Sequence, residues 1–445
     1  MLDLLLKQIF GQPFMLMGIV VFIGYICMKE SFSKSLIGGL KASIGVLVLG
    51  IGSGGLIGHF NKILNATSNA TGLVGAGLNT YPTMANGFEK MDAVLGAGNG
   101  ATWGIYTLLL AFIINIILVY FQKYTKIKTV FLTGNVMLVQ AGISVYIVWR
   151  FLGLDMLPTV IIASIVTAIY WGIFSTLLAK PTDEITGGAG FSIAHQQMFM
   201  SYLAYKIAPK LGNAEKDDIE NKKLPEFLNI LQDNVISTAI IMFVSVAAMF
   251  LMMKQPGIDQ LKIDMGMAGL KNNLIFLLWI SLILTADIYV LLAGVRMFVG
   301  ELMVSFKGIS DRLLPGSVAG VDCAAIYAFS PKAVVFGLLF GSIGEIIGLA
   351  ILKLINFNVF VIPGFIPLFF DNATVSIFAN KFGGYKAAMI LCTICGILQI
   401  VGSAFAIQLM ELQWWQGSID YSTVWLGIIY IFKIIGQSLG FPIAG

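Results

Sequence analysis

Charged side chains are scarce in this sequence. Asp, Glu, Lys and Arg make up 11% of its 445 residues, where a soluble globular chain carries roughly 25%. A water-soluble enzyme, anchored or not, is excluded on that ground. Histidine is rarer still: only His59 and His195 occur. No cluster of His, Cys, Asp and Glu stands at metal-ligand spacing, no glycine-rich phosphate loop is present, and no nucleophile has a visible base. Neither a metal, nor a cofactor, nor intrinsic catalysis is therefore expected. Basic residues form no run, which argues against a nucleic-acid partner. The four cysteines all have apolar neighbours. Cys392-Thr393-Ile394-Cys395 spells a redox-type pair, but it lies within an apolar run with no second pair, so helix packing is expected.

What is abundant is apolar surface. The chain is 58% hydrophobic with a mean hydropathy of +0.90, and many of its runs approach the roughly 20 residues that span a bilayer. It reads as an all-α, polytopic integral membrane protein, with no cleavable signal peptide expected. The first half offers spans at 12–28, 36–57, 101–121, 130–151 and 157–179; the second at 235–253, 273–295, 333–352, 358–379, 385–410 and 423–439. Between them Lys206 to Gln232 is the longest hydrophilic segment, expected as a solvated connection. Placing the N-terminus outside and the C-terminus in the cytoplasm puts most Lys and Arg on the inner side. Trp414, Trp415 and Trp425 then fall at the outer interface.

The two halves, residues 1–232 and 233–445, are expected to be repeats of one intertwined transporter domain. Phe131-Leu132-Thr133-Gly134-Asn135 resembles Val361-Ile362-Pro363-Gly364-Phe365, and a semi-polar insertion follows the second span of each half, at 60–100 and 297–332. About five spans per repeat is an odd number, so the second copy enters the membrane upside down and one further helix closes the chain. Both insertions mix Gly, Pro and apolar pieces too short to span, and are expected as re-entrant hairpins of half-helices.

The candidate site centres on Gly187-Gly188-Ala189-Gly190-Phe191-Ser192-Ile193-Ala194-His195-Gln196-Gln197, a polar, glycine-rich stretch after Lys180-Pro181-Thr182-Asp183-Glu184, where the preceding apolar run is expected to stop. Irregular backbone at membrane depth is tolerated only where protein or a cavity receives it. His195 and Gln196 offer donors and acceptors to a hydroxylated ligand, or pack against a neighbouring carbonyl. Asp322, in Gly320-Val321-Asp322-Cys323, is costly at membrane depth; it accepts from ligand hydroxyls or caps a half-helix. Thr80 and Tyr81 hold the corresponding place in the first half, as ligand contacts or as an interfacial pair. Asp287 and Glu345 lie within spans, where helix–helix hydrogen bonding is expected, and His59 at a span end is expected to be interfacial.

Together Lys180-Pro181-Thr182, Gly190 to Gln197, Gly308-Ile309-Ser310-Asp311-Arg312-Leu313-Leu314-Pro315-Gly316, Asp322-Cys323-Ala324-Ala325-Ile326-Tyr327 and Ile362-Pro363-Gly364-Phe365-Ile366-Pro367 resemble one family over nearly the whole chain. It is the L-ascorbate-specific membrane (IIC) subunit of the bacterial phosphotransferase system. The resemblance implies about eleven spans, a homodimer in the bacterial inner membrane and elevator-like motion of a substrate-carrying core. It also implies import of a sugar or sugar acid that a cytoplasmic IIB subunit, charged by IIA, phosphorylates. The family's ligand contacts fall on Thr80, Tyr81, His195, Gln196 and Asp322. Two more fall on Asn135 and Val139, where the family usually shows His and Gln; that departure admits a relative of ascorbate as substrate. The runner-up reading is a proton-coupled secondary transporter of a small polar solute, with Asp287, Glu345 or Asp322 carrying the proton.

Overall fold

The computed structural model describes residues 13–71, 75–222, 234–312, 314–441 and 443–444. They are mostly helical, as a chain must be where no water satisfies the backbone. The helices are α1 (Pro13–Cys27), α2 (Phe32–Thr71), α3 (Thr80–Leu95), α4 (Asn99–Tyr120), α5 (Gln122–Thr125), α6 (Gly134–Leu152), α7 (Met156–Thr186), α8 (Met198–Leu211) and α9 (Ala214–Asp217). After the hydrophilic segment come α10 (Asn234–Asp264), α11 (Asn273–Arg312), α12 (Pro331–Leu354), α13 (Phe365–Met410) and α14 (Val424–Leu439). Seven of these helices are long and apolar enough to cross a bilayer, and α13 alone is 46 residues.

Helix occupies each segment expected to span, but several boundaries move. The segments 358–379 and 385–410 share α13, whose backbone breaks at Gly384 (φ 75°, ψ −178°). That positive φ suits glycine, and a Cβ there would press on the Asp217 backbone. Likewise α10 breaks at Lys254, next to Pro256. Pro181 does not end its helix: α7 runs on to Thr186, and Gly187 (φ 68°) terminates it. Proline removes one intrahelical bond, and the five further helical residues before the glycine, Thr182 to Thr186, continue the helix past that loss.

Helices α1, α2, α10 and α11 pack into one bundle, tied by polar pairs. Glu301 receives the Tyr25 hydroxyl at 2.6 Å and faces Lys41 at 3.4 Å. His59 does not stand at a helix end: α2 continues to Thr71, and His59 Nδ1 lies 2.7 Å from Asp287 Oδ2 on α11. Glu345, by contrast, is buried in α12, and its Oε1 has no hydrogen-bond partner among the described residues. On α12 a row of Gly337, Gly341, Gly344 and Gly348 meets α13; a Cβ on Gly341 would collide with Asn372 and one on Gly344 with the Thr393 carbonyl. Small residues let two helix backbones approach where lipid supplies no hydrophobic drive between them.

The all-helical expectation omits six short strands: β1 (Gly75–Leu78), β2 (Thr129–Phe131), β3 (Phe191–Ile193), β4 (Val318–Val321), β5 (Phe360–Ile362) and β6 (Trp414–Trp415). They form two three-stranded parallel sheets, ordered β5-β1-β6 and β2-β4-β3. Exchanging first with fourth, second with fifth and third with sixth turns one order into the other. The insertions are therefore strand-then-helix units, β1 with α3 and β4 with a 3-10 turn (Cys323–Phe329), not pairs of half-helices.

One more expectation is corrected and another is refined. Trp415 and Trp425 are fully buried; Trp425 stacks on Tyr421 at 5.1 Å, with Tyr170 edge-on at 5.4 Å. Their place is the protein core. The part of the hydrophilic segment that is described, up to Lys222, is exposed at Lys206, Lys210, Asn213, Glu215, Lys216 and Lys222, as a solvated connection would be, but it is docked at Asp218 to Glu220. Asp218 and Ile219 bond Asn380, and Glu220 Oε1 accepts from Ser330 Oγ at 2.8 Å and Ala333 N at 2.9 Å, closing the N-terminus of α12. Lys332 Nζ in turn donates to the Glu220 and Lys222 carbonyls. Residues 223–232 of that segment lie outside the described residues. A carboxylate at a helix start is stabilising by about 0.5–2 kcal/mol. Glu220→Ala is accordingly expected to lower the thermal midpoint in detergent, with Glu220→Gln losing less; an unchanged midpoint in the alanine variant would show the cap to be inert.

Candidate substrate site

The sheet β2-β4-β3 delivers three chain ends side by side. Pairing continues one residue past the strands: Leu132 N donates to Gly320 O at 2.9 Å and Ala194 N to Val321 O at 2.8 Å. Beyond these bonds the first chain turns through Thr133 into α6, which carries Asn135. The second turns at Asp322 and the third at His195. A glycine is required in the central strand, because a Cβ on Gly320 would press on Ala194, Thr129 and the Val130 carbonyl.

His195 and Asp322 are both buried, with Nε2 facing Oδ2 across 3.9 Å. That gap is too wide for a direct hydrogen bond. The imidazole stacks on Phe370 of α13, centroids 5.7 Å apart. Its Nδ1 lies 2.6 Å from Gln197 Oε1. The orientation of that amide follows from its other partners. Oε1 also receives the Gln196 N–H at 2.9 Å, while Nε2 donates to the Phe370 carbonyl at 3.2 Å and to Thr374 Oγ1 at 2.8 Å. An amide oxygen cannot donate, so Nδ1 carries the hydrogen and donates to Gln197. Nε2 is then the ring nitrogen left facing Asp322. Asp322 Oδ1 accepts from Ala324 N at 2.9 Å and so starts the 3-10 turn.

Gln196 reaches the second sheet. Its Oε1 accepts from Ser418 Oγ at 3.1 Å, its carbonyl accepts from Asp420 N at 3.2 Å, and its Nε2 is buried without a partner among the described residues. Asp420 holds the same turn from the other side, accepting from Phe199 N, Met200 N and the Tyr170 hydroxyl at 2.9, 3.3 and 2.6 Å. Asp371, next to Phe370, accepts from Ile419 N at 2.5 Å and Gln399 Nε2 at 3.0 Å.

The remaining expected positions divide. Asn135 is half-buried at the second residue of α6, its Oδ1 without a partner among the described residues; Val139, one turn on, is fully buried. Thr80 is buried at the first residue of α3, behind β1 of the other sheet, where Asn79 N donates to Trp415 O at 2.8 Å. Tyr81 is the next residue of that helix, and its side chain lies outside what is described. His195 and Asp322 thus face one another, while the side chain of the adjacent Gln196 turns to Ser418, three residues past β6 of the other sheet.

Gln197, Phe370, Thr374, Ser418, Asp420 and Tyr170 build the hydrogen-bonded and stacked surroundings of the His195–Gln197 turn and were not anticipated. Gln197 and Thr374 are polar residues in apolar segments, a signal that was open to reading; Ser418 and Asp420 follow a tryptophan pair that suggests an interface. The nitrogen, oxygen and sulfur donors of His195, Asp322 and Cys323 lie within 4.8 Å of one another. Asp322 Oδ1 and the Cys323 sulfur, however, are engaged with Ala324 N and the Tyr327 hydroxyl. The group is a set of buried hydrogen-bonding side chains in which His195 Nε2 and Asp322 Oδ2 face one another.

Polar turns buried among membrane-length helices, with donors and acceptors left facing one another, are the build of a polytopic permease for a small polar solute. Comparison with known proteins narrows the class. The model of the PTS system sugar-specific permease component family matches residues 8–429, and the chain belongs to that family. It is 32% identical over 436 residues to the ascorbate-specific PTS system EIIC component of Mycoplasma pneumoniae. The match takes in 91% of this chain and 66% of that relative, so the chain spans just under two thirds of the relative's length.

Proposed function

We propose that this protein is the membrane-spanning IIC subunit of a phosphoenolpyruvate-dependent phosphotransferase system. In this reading it imports L-ascorbate or a related sugar acid for phosphorylation by a IIB subunit, itself charged by IIA. The observation that carries the reading is the His195–Asp322 pair, two buried polar groups 3.9 Å apart with no bond between them. Each side chain is anchored through its other polar atom, His195 to Gln197 and Asp322 to Ala324, which leaves Nε2 and Oδ2 as the atoms that a ligand's hydroxyls would bond. Family membership and the ascorbate-specific relative supply the substrate class. In this reading catalysis is left to the partners.

The finer architecture is part of the same proposal. Residues 1–232 and 233–445 are two inverted repeats, supported by the exchange of strand order between the sheets and by α2 and α11, each 40 residues long before its central strand. The sheet-bearing body moves as an elevator against the α1, α2, α10 and α11 bundle of a homodimer. The termini lie outside (N) and inside (C), a placement resting on the distribution of Lys and Arg.

Titrating purified protein with a panel of sugars, polyols and sugar acids tests the substrate class, and uptake that delivers phosphorylated product tests the coupling. Free sugar delivered by a proton gradient would replace this reading with the secondary transporter. Asn135→His combined with Val139→Gln adds two hydrogen-bonding groups on one face of α6. The pair is expected to tighten L-ascorbate binding roughly tenfold; no gain by calorimetry would mean the pocket is shaped for another ligand.

A further inference from the structure

The pocket is rich in acids and poor in cations. Asp322, Asp371 and Asp420 are all buried around the His195–Gln197 turn. Asp322 faces the imidazole from the 3-10 turn, Asp371 flanks the stacked Phe370 from α13, and Asp420 binds the turn from the β6 side. The other ionisable neighbours are Cys323 and Tyr327 on the 3-10 turn, Tyr170 on α7 and Tyr421 beside Asp420, none of which can become positive. Among the described residues the buried Lys and Arg are Lys262 and Arg150. Lys262 bonds Asn273 and the Lys271 carbonyl; Arg150 bonds Glu411 and the Ala444 carbonyl. Neither serves the turn. His195 is the group there able to carry positive charge, and its Nδ1 hydrogen is committed to Gln197.

A sugar acid brings a negative charge among these buried carboxyl groups. An uncompensated anion beside a buried carboxylate is strongly unfavourable. We propose that an anionic sugar acid binds together with one proton, taken from solvent onto His195 Nε2, so that the imidazolium donates to the ligand or to Asp322 while Nδ1 keeps its bond to Gln197. This rests on the substrate reading above and adds the ligand's charge state to it. The same pocket admits a neutral polyhydroxylated lactone with no proton.

Calorimetry of the wild-type protein in buffers of different ionisation enthalpy counts the protons. L-ascorbate is expected to take up about one proton per molecule bound, and L-gulonolactone, its neutral ring analogue, about none. Ascorbate affinity then falls roughly tenfold per pH unit as pH rises, while lactone affinity stays flat. Ascorbate binding with no proton uptake overturns this inference and leaves the substrate reading standing. Failure of both ligands to bind removes both. His195→Gln keeps hydrogen-bonding capacity without a titrating nitrogen, and is expected to weaken both ligands while any ascorbate binding that remains occurs without proton uptake. If that variant still takes up a proton with ascorbate, the assignment to His195 is wrong.

Discussion

Calorimetric titration of a His195→Ala variant with L-ascorbate is expected to show no resolvable binding, although the protein inserts and purifies as the parent does. The substitution removes Nε2 from the pocket, the Phe370 stack and the donor to Gln197 Oε1. The Gln197 amide keeps its bonds to Gln196 N, Phe370 O and Thr374, so the turn retains three of its anchors and the loss falls on the ligand. Asp322→Asn is the companion. Asparagine still accepts from Ala324 N and starts the 3-10 turn, but it no longer offers a charged acceptor. Hydrogen bonds to charged groups contribute about 1.5–3 kcal/mol, so binding is expected to weaken roughly 10- to 100-fold. Affinities equal to the parent in both variants would remove His195 and Asp322 from the site.

The part of this site that is legible in the sequence follows from cost. His195, Gln196 and Asp322 stand out because polar groups in apolar runs are expensive; the structure brings His195 and Asp322 face to face and turns Gln196 toward Ser418. Asp287 stands out for the same reason, yet its partner is His59, about 230 residues earlier, a pairing that no local pattern announces. The strands were hidden because three or four residues such as Phe191-Ser192-Ile193 are too short to display a period. The helix through Pro181 was misjudged because a proline weakens one bond of a helix without dictating where the chain turns; Gly187 does that. The tryptophans near the C-terminus were assigned to an interface by type, whereas aromatic stacking with Tyr170 and Tyr421 holds Trp425 inside.

Asp420→Ala is expected to have an effect as large as any substitution at the pocket itself, though Asp420 acts on the site only through the turn it holds. Its carboxylate gathers the first N–H groups of α8 and the Tyr170 hydroxyl of α7, and so fixes where α8 begins immediately after His195-Gln196-Gln197. Alanine leaves three buried donors without an acceptor, and each such group costs about 1–3 kcal/mol. The backbone bond from residue 420 to the Gln196 carbonyl survives, so the turn is loosened at one end and held at the other. The expected result is a lower thermal midpoint together with a loss of ascorbate affinity of tenfold or more. Tyr170→Phe serves as the graded control: it removes one donor, leaves Asp420 with its two N–H partners, and should cost about 1 kcal/mol with a small change in affinity. A positioning role predicts that binding falls in step with the number of bonds lost at Asp420. Were Asp420→Ala to bind ascorbate as the parent does, the orientation of His195 would have to be set by Gln197 and Phe370 alone.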